Sequence, residues 1–163
     1  MSYCSEAYLR KMAKSEDWRD RQRIAENLYT PKDVLNELAE DATWEVRSLV
    51  ADNPYTPKEA LIKLSKDEDY RVRYVVAKSL QAPVEALTNL VKDEDFGVRS
   101  AIANNPNTPV EGLIQLAEDS YWKARWLLAF NPNTPIEVIE KLTADEDADV
   151  RISAKKELER REK

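Results

Sequence analysis

Two helical patterns alternate along the chain, with proline between them. In "TPKEALIKLSK" (56–66), Ala60, Leu61, Leu64 and Ser65 fall on one face at i, i+1, i+4 and i+5. In "DATWEVRSLVADN" (41–53), Val46, Leu49, Val50 and Asn53 share a face, and Trp44 and Ala51 widen it. These are helix A and helix B of a unit that recurs every 26 residues. Asp41, Asp67, Asp93, Asp119 and Asp145 open successive units, with Ser15 at the first start. Six positions on stands an arginine each time: Arg21, Arg47, Arg73, Arg99, Arg125 and Arg151. Ala25, Ala51, Ala77, Ala103 and Ala129 form a third column, which Lys155 breaks. Each helix is predicted at about three turns, too short to persist alone in water, so stacked neighbours must hold it. The pattern predicts an all-α solenoid of about six 26-residue helix pairs. It forms a single repeat domain over 1–163, with units starting near 5, 31, 57, 83, 109 and 135.

The prolines belong to the joint between helices. "NPYTP" (53–57) recurs as "NPNTP" at 105–109 and 131–135. A residue before proline is pushed out of the α region, so Asn53, Asn105 and Asn131 are expected to end helix B. The second proline is expected at the first position of helix A, with Thr56, Thr108 and Thr134 as N-caps. Glu59, Glu111 and Glu137 would complete capping boxes, each cap worth about 1 kcal/mol. Both ends turn polar. Asp20 and Arg23 enter the first helix B; Ala148, Ser153 and Lys155 enter the last, followed by "KKELERREK". They are expected to be end caps of a complete solenoid.

The unit "DATWEVRSLVADNPYTPKEALIKLS" resembles the leucine-rich repeat variant, and "DEDYRVRYVVAKSL" resembles the second helix of HEAT repeats. The resemblance covers nearly the whole chain. The unit from Asp67 departs from it at "KSLQAP", where Leu80 replaces the first proline and Ala82 the threonine. The resemblance implies a right-handed superhelix of paired helices, with one helix of each pair open between α and 3₁₀. The iron–sulfur module of some such proteins needs clustered cysteines. Here Cys4 stands alone in the cap slot of an incomplete first unit, with Ser5 in the proline slot, and reads as a capping or buried thiol. No cofactor is expected.

Composition narrows the function. A net charge of −6 opposes unspecific attraction to nucleic acid or anionic lipid. One cysteine excludes an intrachain disulfide, and no run is long and apolar enough to span a bilayer. A soluble, cytoplasmic protein is expected. Histidine is absent, which removes the usual general base and the commonest metal ligand. No metal cluster, nucleophile–base pair or glycine-rich loop stands out, so an enzyme is not expected.

Three periodic features remain as candidates. The columns Asp41, Asp67, Asp93, Asp119, Asp145 and Arg47, Arg73, Arg99, Arg125, Arg151 are expected to form a structural ladder. In it an aspartate pairs with a buried guanidinium of the next unit. The "DED" triplets (67–69, 93–95, 145–147) lack the glycine and ligand spacing of a calcium loop and read as acidic first turns. The aromatic column Trp18, Trp44, Tyr70, Phe96 and Trp122 reads as core or inter-repeat packing.

The outward arc of helix B is more telling. It holds Glu45, Ser48 and Asp52 in one unit, and Gly97, Ser100 and Asn104 in another. In the fifth it holds Lys123, Trp126 and Phe130, with Tyr74 and Ile152 on the same line. Large apolar side chains on a solvated arc mark interaction sites. The candidate is a protein- or peptide-binding patch at Trp126, Phe130, Tyr74 and Ile152, flanked by Lys123 and Lys156. Partner binding, self-association and burial by superhelical curvature all remain open at this stage. A HEAT-like nucleic-acid-binding protein is the alternative. It would need a basic stripe, whereas the arc mixes Arg71, Lys78 and Lys123 with Glu45, Asp52 and Asp149.

Overall fold

A computed structural model describes residues 5–161. Contacts divide the chain into two compact units, Met1–Ala86 and Leu87–Lys163. Every regular element among the described residues is an α-helix. The choice between α and 3₁₀ therefore resolves to α for both members of each pair. Cys4 lies outside the described residues.

The first unit contains α1 (Glu6–Met12), α2 (Trp18–Glu26), α3 (Lys32–Leu38), α4 (Trp44–Asp52), α5 (Lys58–Leu64) and α6 (Tyr70–Lys78). The boundary falls within α7 (Val84–Leu90). The second unit continues with α8 (Phe96–Asn104), α9 (Val110–Leu116), α10 (Trp122–Leu128), α11 (Ile136–Leu142) and α12 (Ala148–Arg161). Each is a stack of helix pairs, the α-solenoid architecture. Odd-numbered helices are helix A and even-numbered ones helix B. The A helices are only seven residues long, about two turns rather than three. B helices lie side by side, α4 between α2 and α6 in the first unit and α10 between α8 and α12 in the second.

The core is the predicted one. Ala60, Leu61, Leu64 and Ser65 of the α5 segment are buried, as are Val46, Val50 and Ala51 of α4, while Leu49 is half-buried. The same slots fill the second unit with Leu113, Leu116, Val98 and Ile102. Burial of one such Leu or Ile is worth about 2 kcal/mol, and this rather than helix propensity holds two-turn helices in place.

The joint differs from its expected wiring. Pro31, Pro57, Pro109 and Pro135 are themselves N-caps, in extended conformation, and no side chain caps these helices. The threonine sits one residue too early to cap. Its hydroxyl points back and donates to a carbonyl near the end of the preceding helix B. The bonds are Thr30 to Ile24 O (2.6 Å), Thr56 to Val50 O (2.5 Å) and Thr108 to Ile102 O (2.7 Å). The backbone N–H of Thr56 goes to Asn53 O, so Glu59 has no part in a capping box. Proline serves as N-cap because that position needs extended dihedrals and an accepting carbonyl, both of which proline supplies. Pro57 O accepts from Leu61 N at 3.1 Å. Real side-chain caps occur at helix B instead. Asp69 accepts from Arg71 N, Asp95 from Val98 N and Asp147 from Asp149 N.

Asn53 and Asn105 end α4 and α8 as expected, but Asn131 lies beyond the end of α10, which stops at Leu128. There the last turn tightens to i→i+3 bonds, Phe130 N to Leu127 O (3.0 Å) and Asn131 N to Leu128 O (3.2 Å). The helix end turns differently, and the Thr134 hydroxyl, 2% exposed, is left without a partner.

Candidate functional site

Three columns carry polar side chains between neighbouring repeats, and their wiring decides what remains for a ligand. In the arginine–aspartate column the guanidinium forks onto the aspartate 20 residues further on. Arg21 meets Asp41 at 2.5 and 3.0 Å, and Arg47 meets Asp67 at 2.6 and 2.8 Å. In the second unit Arg99 meets Asp119 at 2.6 and 3.1 Å, and Arg125 meets Asp145 at 2.8 and 2.9 Å. The pairing order is the reverse of the expected one: the arginine comes from the unit before its aspartate. The reason lies in the turn that opens each helix B. The following unit's turn presents its carboxylate over the guanidinium. The arginine's own turn supplies a carbonyl six residues back: Asp41 O for Arg47, Asp67 O for Arg73, Asp119 O for Arg125 and Asp145 O for Arg151.

The carboxylates are tied down on both oxygens' behalf. Asp41 also accepts from Thr43 N, Asp67 from Asp69 N, Asp93 from Asp95 N, Asp119 from Tyr121 N and Asp145 from Asp147 N. Burial alone would raise the pKa of Asp41. The Arg21 fork and the Thr43 N–H outweigh burial and hold it below the usual carboxylate range. At Asp145, burial is likewise overcome by Arg125 and the Asp147 N–H. Nε and both terminal nitrogens of Arg47 and Arg125 all bond within the protein. Clefts of about 750 and 540 Å³ open beside these two pairs, at equivalent places in the two units, and their rims are closed by Lys63–Glu40 and Lys141–Glu118 ion pairs. The "DED" triplets divide their labour similarly: the first aspartate joins this column and the third caps helix B. No group of three metal-ligating side chains occurs among the described residues.

The asparagine column has a role that the sequence reading did not assign. Asn53, 5% exposed, donates from Nδ2 to Ala25 O (2.7 Å) and Asn27 O (3.2 Å) of the preceding repeat. Asn131 does the same to Ala103 O (2.8 Å) and Asn105 O (2.9 Å). Each Oδ1 accepts from the N–H two residues on, Tyr55 or Asn133. The signal was present in the fixed 26-residue recurrence of asparagine, since any turn-forming residue would have ended the helix. One period after Asn131 stands Glu157. It holds Arg160 and Arg161, and Arg161 donates to Asn131 O (3.0 Å) and Thr134 O (2.6 Å). The polar end therefore replaces the missing amide with a carboxylate-oriented guanidinium. The Arg160 bond, helped by Arg161, outweighs burial and lowers the Glu157 pKa to about 2.

The large side chains placed on the outward arc are only partly solvent-exposed. Phe130 is 51% exposed and Ile152 64%; Trp126 is half-buried, its ring centroid 4.6 Å from that of Phe130. Phe130, Ile152, Ser153 and Lys156 line a groove of about 760 Å³. Lys123 is exposed on the same face of α10, one turn before Trp126. The arc is open at Phe130 and Ile152, whereas on α8 Ser100, expected to face outward, is buried and donates to Phe96 O. Tyr74 lies in the first unit, 39% exposed, with the Lys78 ammonium 5.5 Å from its ring centroid.

The aromatic column packs between repeats at the rim: Trp18 and Trp44 are half-buried, the other three more exposed. Tyr70, Phe96 and Trp122 are 52%, 54% and 40% exposed, because each opens helix B with one face free at the rim. Arg71 stacks on Trp44 at 3.5 Å, and Tyr121 packs on Phe96 at 4.6 Å. Trp122 therefore extends the aromatic face of α10 by one turn.

No protein-family model matches the chain, and no curated protein sequence matches it. Among solved structures it is similar to a leucine-rich repeat variant with a novel repetitive structural motif. The identity is 25% and the TM-score 0.56, over 96% of this chain and 72% of that one. It is also matched to a designed armadillo repeat protein at 16% identity and a TM-score of 0.45, over 95% of this chain and 99% of that one. The chain shares the helical-repeat scaffold fold of that leucine-rich repeat variant. No described helix is long and apolar enough to cross a membrane.

Proposed function

We propose that the chain is a non-catalytic repeat scaffold that binds a protein or peptide on the outward face of α10 and α12. Trp126, Phe130 and Ile152 would make the apolar contacts, and Lys123 and Lys156 would flank them. The observation that carries the reading is the exposure of Phe130 and Ile152 on the groove they line, with the Trp126 ring packed at a tilt against Phe130. Apolar side chains so exposed and so grouped lose little by being covered and gain by being dried. The arginine and aspartate columns are proposed to serve structure alone, since their donors and acceptors are already engaged with one another. Tyr74 is a separate candidate contact on the first unit.

Affinity capture from native cell extract, wild type against Trp126→Ala/Phe130→Ala, tests this. The double variant should keep the helical circular dichroism and lose the captured partners. Retention of the same partners would refute the proposal. Loss of helicity would instead make the arc part of the core, and a concentration-dependent mass in light scattering that the double variant lacks would make it a self-association contact.

A further inference from the structure

We infer that the occupant of this face is an acidic amphipathic peptide segment, with an apolar stripe bracketed by carboxylates; the inference rests on the peptide-binding reading above. Size is the first reason. Trp122 and Trp126 stand four residues apart on α10, and Phe130 follows four residues later, just past its end, in a stripe about 12 Å long. Phe96 borders it on one side and Ile152 on the other, both more than half exposed. With side chains of 150–250 Å² each, the exposed apolar area comes to roughly 500 Å². A stable dimer needs about 800 Å² from each partner, so the patch is undersized for a second copy of this chain and suits a segment of two or three helical turns.

Charge is the second reason. The chain carries −6, yet cations bracket this stripe: Lys123 near one end, Lys156 and Arg160 by the groove at the other. Neither lysine has a carboxylate partner among the described residues, whereas most of the chain's buried cations are forked onto aspartates. The Glu157 carboxylate is taken up by both Arg160 and Arg161. Asp149 and Glu159 are the remaining nearby acids, and the local balance is one positive charge. On the α8 side Gly97 and Asn104 add no charge, and Ser100 is buried with its hydroxyl donating to Phe96 O. An occupant with apolar side chains at i, i+4 and i+8 and Asp or Glu at both ends meets every one of these features. A lysine-rich segment would bring like charges onto Lys123 and Lys156.

A displayed random-peptide library, panned against the full chain and counter-selected on Trp126→Ala/Phe130→Ala, decides the matter. Sequences that require Trp126 and Phe130 should be enriched in Asp and Glu flanking aromatic or aliphatic residues. Their binding should weaken with salt and fall about tenfold on Lys123→Glu/Lys156→Glu, a variant whose helicity should be unchanged. Selected sequences that require the two aromatics but carry neutral or basic flanks would overturn the acidic occupant and leave the peptide-binding reading standing. Selection of no sequence that depends on Trp126 and Phe130 would overturn both.

Discussion

Four threonines occupy one slot of the joint, and only three of their hydroxyls have partners. Thr30, Thr56 and Thr108 donate to a carbonyl six residues back at 2.5–2.7 Å, while Thr134 is buried without a partner. Valine has nearly the same shape and no hydroxyl, so Thr→Val isolates the bond. At Thr56 the substitution removes a buried bond but leaves Val50 O its backbone partner, Asn53 N at 3.2 Å. The expected cost is therefore that of one ordinary hydrogen bond, about 1 kcal/mol. At Thr134 the hydroxyl already bears its desolvation without return, and removing it should stabilise by about 1 kcal/mol. The two variants should thus differ by about 2 kcal/mol, a midpoint difference of about 1 M in urea for a slope near 2 kcal/mol/M. Urea unfolding followed by circular dichroism and tryptophan fluorescence, at unchanged slope, measures it. Equal destabilisation by Thr56→Val and Thr134→Val would refute the reasoning, because it would mean that Thr134 is bonded like its counterparts.

Removing the Asn53 amide should be costlier. Asn53→Ala deprives Ala25 O and Asn27 O of a donor and Tyr55 N of an acceptor, an expected loss of about 3 kcal/mol in the same urea assay. Arg47→Met should destabilise by about 3 kcal/mol, because it strands a 6%-exposed Asp67 carboxylate. A double-mutant cycle with Asp67→Asn should show coupling above 1 kcal/mol, and a null coupling would remove the pair from the account of stability. Glu157→Gln should matter only where Glu157 is ionised in the folded protein. Its folded pKa, about 2, lies below its ordinary 4.5. The stabilisation relative to the variant should therefore be full above pH 4.5 and vanish as pH falls through about 2, read from thermal midpoints across that range.

The period, the helix faces and the pairing of arginine with aspartate were legible because each is fixed by residue type at constant spacing, though which unit gives the arginine was not. Val46, Leu61 and Leu64 could lie nowhere but inside, and a buried arginine in every unit needs a carboxylate in every unit. Wiring at the level of single atoms was less legible. "TPKE" satisfies the capping-box pattern, but whether Thr56 caps forward or bonds backward depends on which residue takes the extended dihedrals. In this fold Pro57 takes them. Asn53 looked sufficient as a helix stop, which concealed that its amide reaches across to Ala25 and Asn27. At the candidate site, the position of Trp126 and Phe130 on the arc was readable from helical angle. The exposure of Trp122 was not, since a periodic aromatic is compatible with both a packed seam and a free rim.

Most side-chain bonds between repeats join residues at fixed offsets along the chain. Arginine reaches its aspartate 20 residues on, and asparagine reaches back 26 and 28. Even the end cap reaches only 30. Bonds this near in sequence close only short loops while folding, which favours rapid assembly outward from any one pair. It also makes length a free variable of inheritance. An in-frame duplication or loss of one whole period preserves the offset of 20 that pairs arginine with aspartate and the offsets of 26 and 28 that pair asparagine with two carbonyls. A shift by any other number of residues breaks both columns at once.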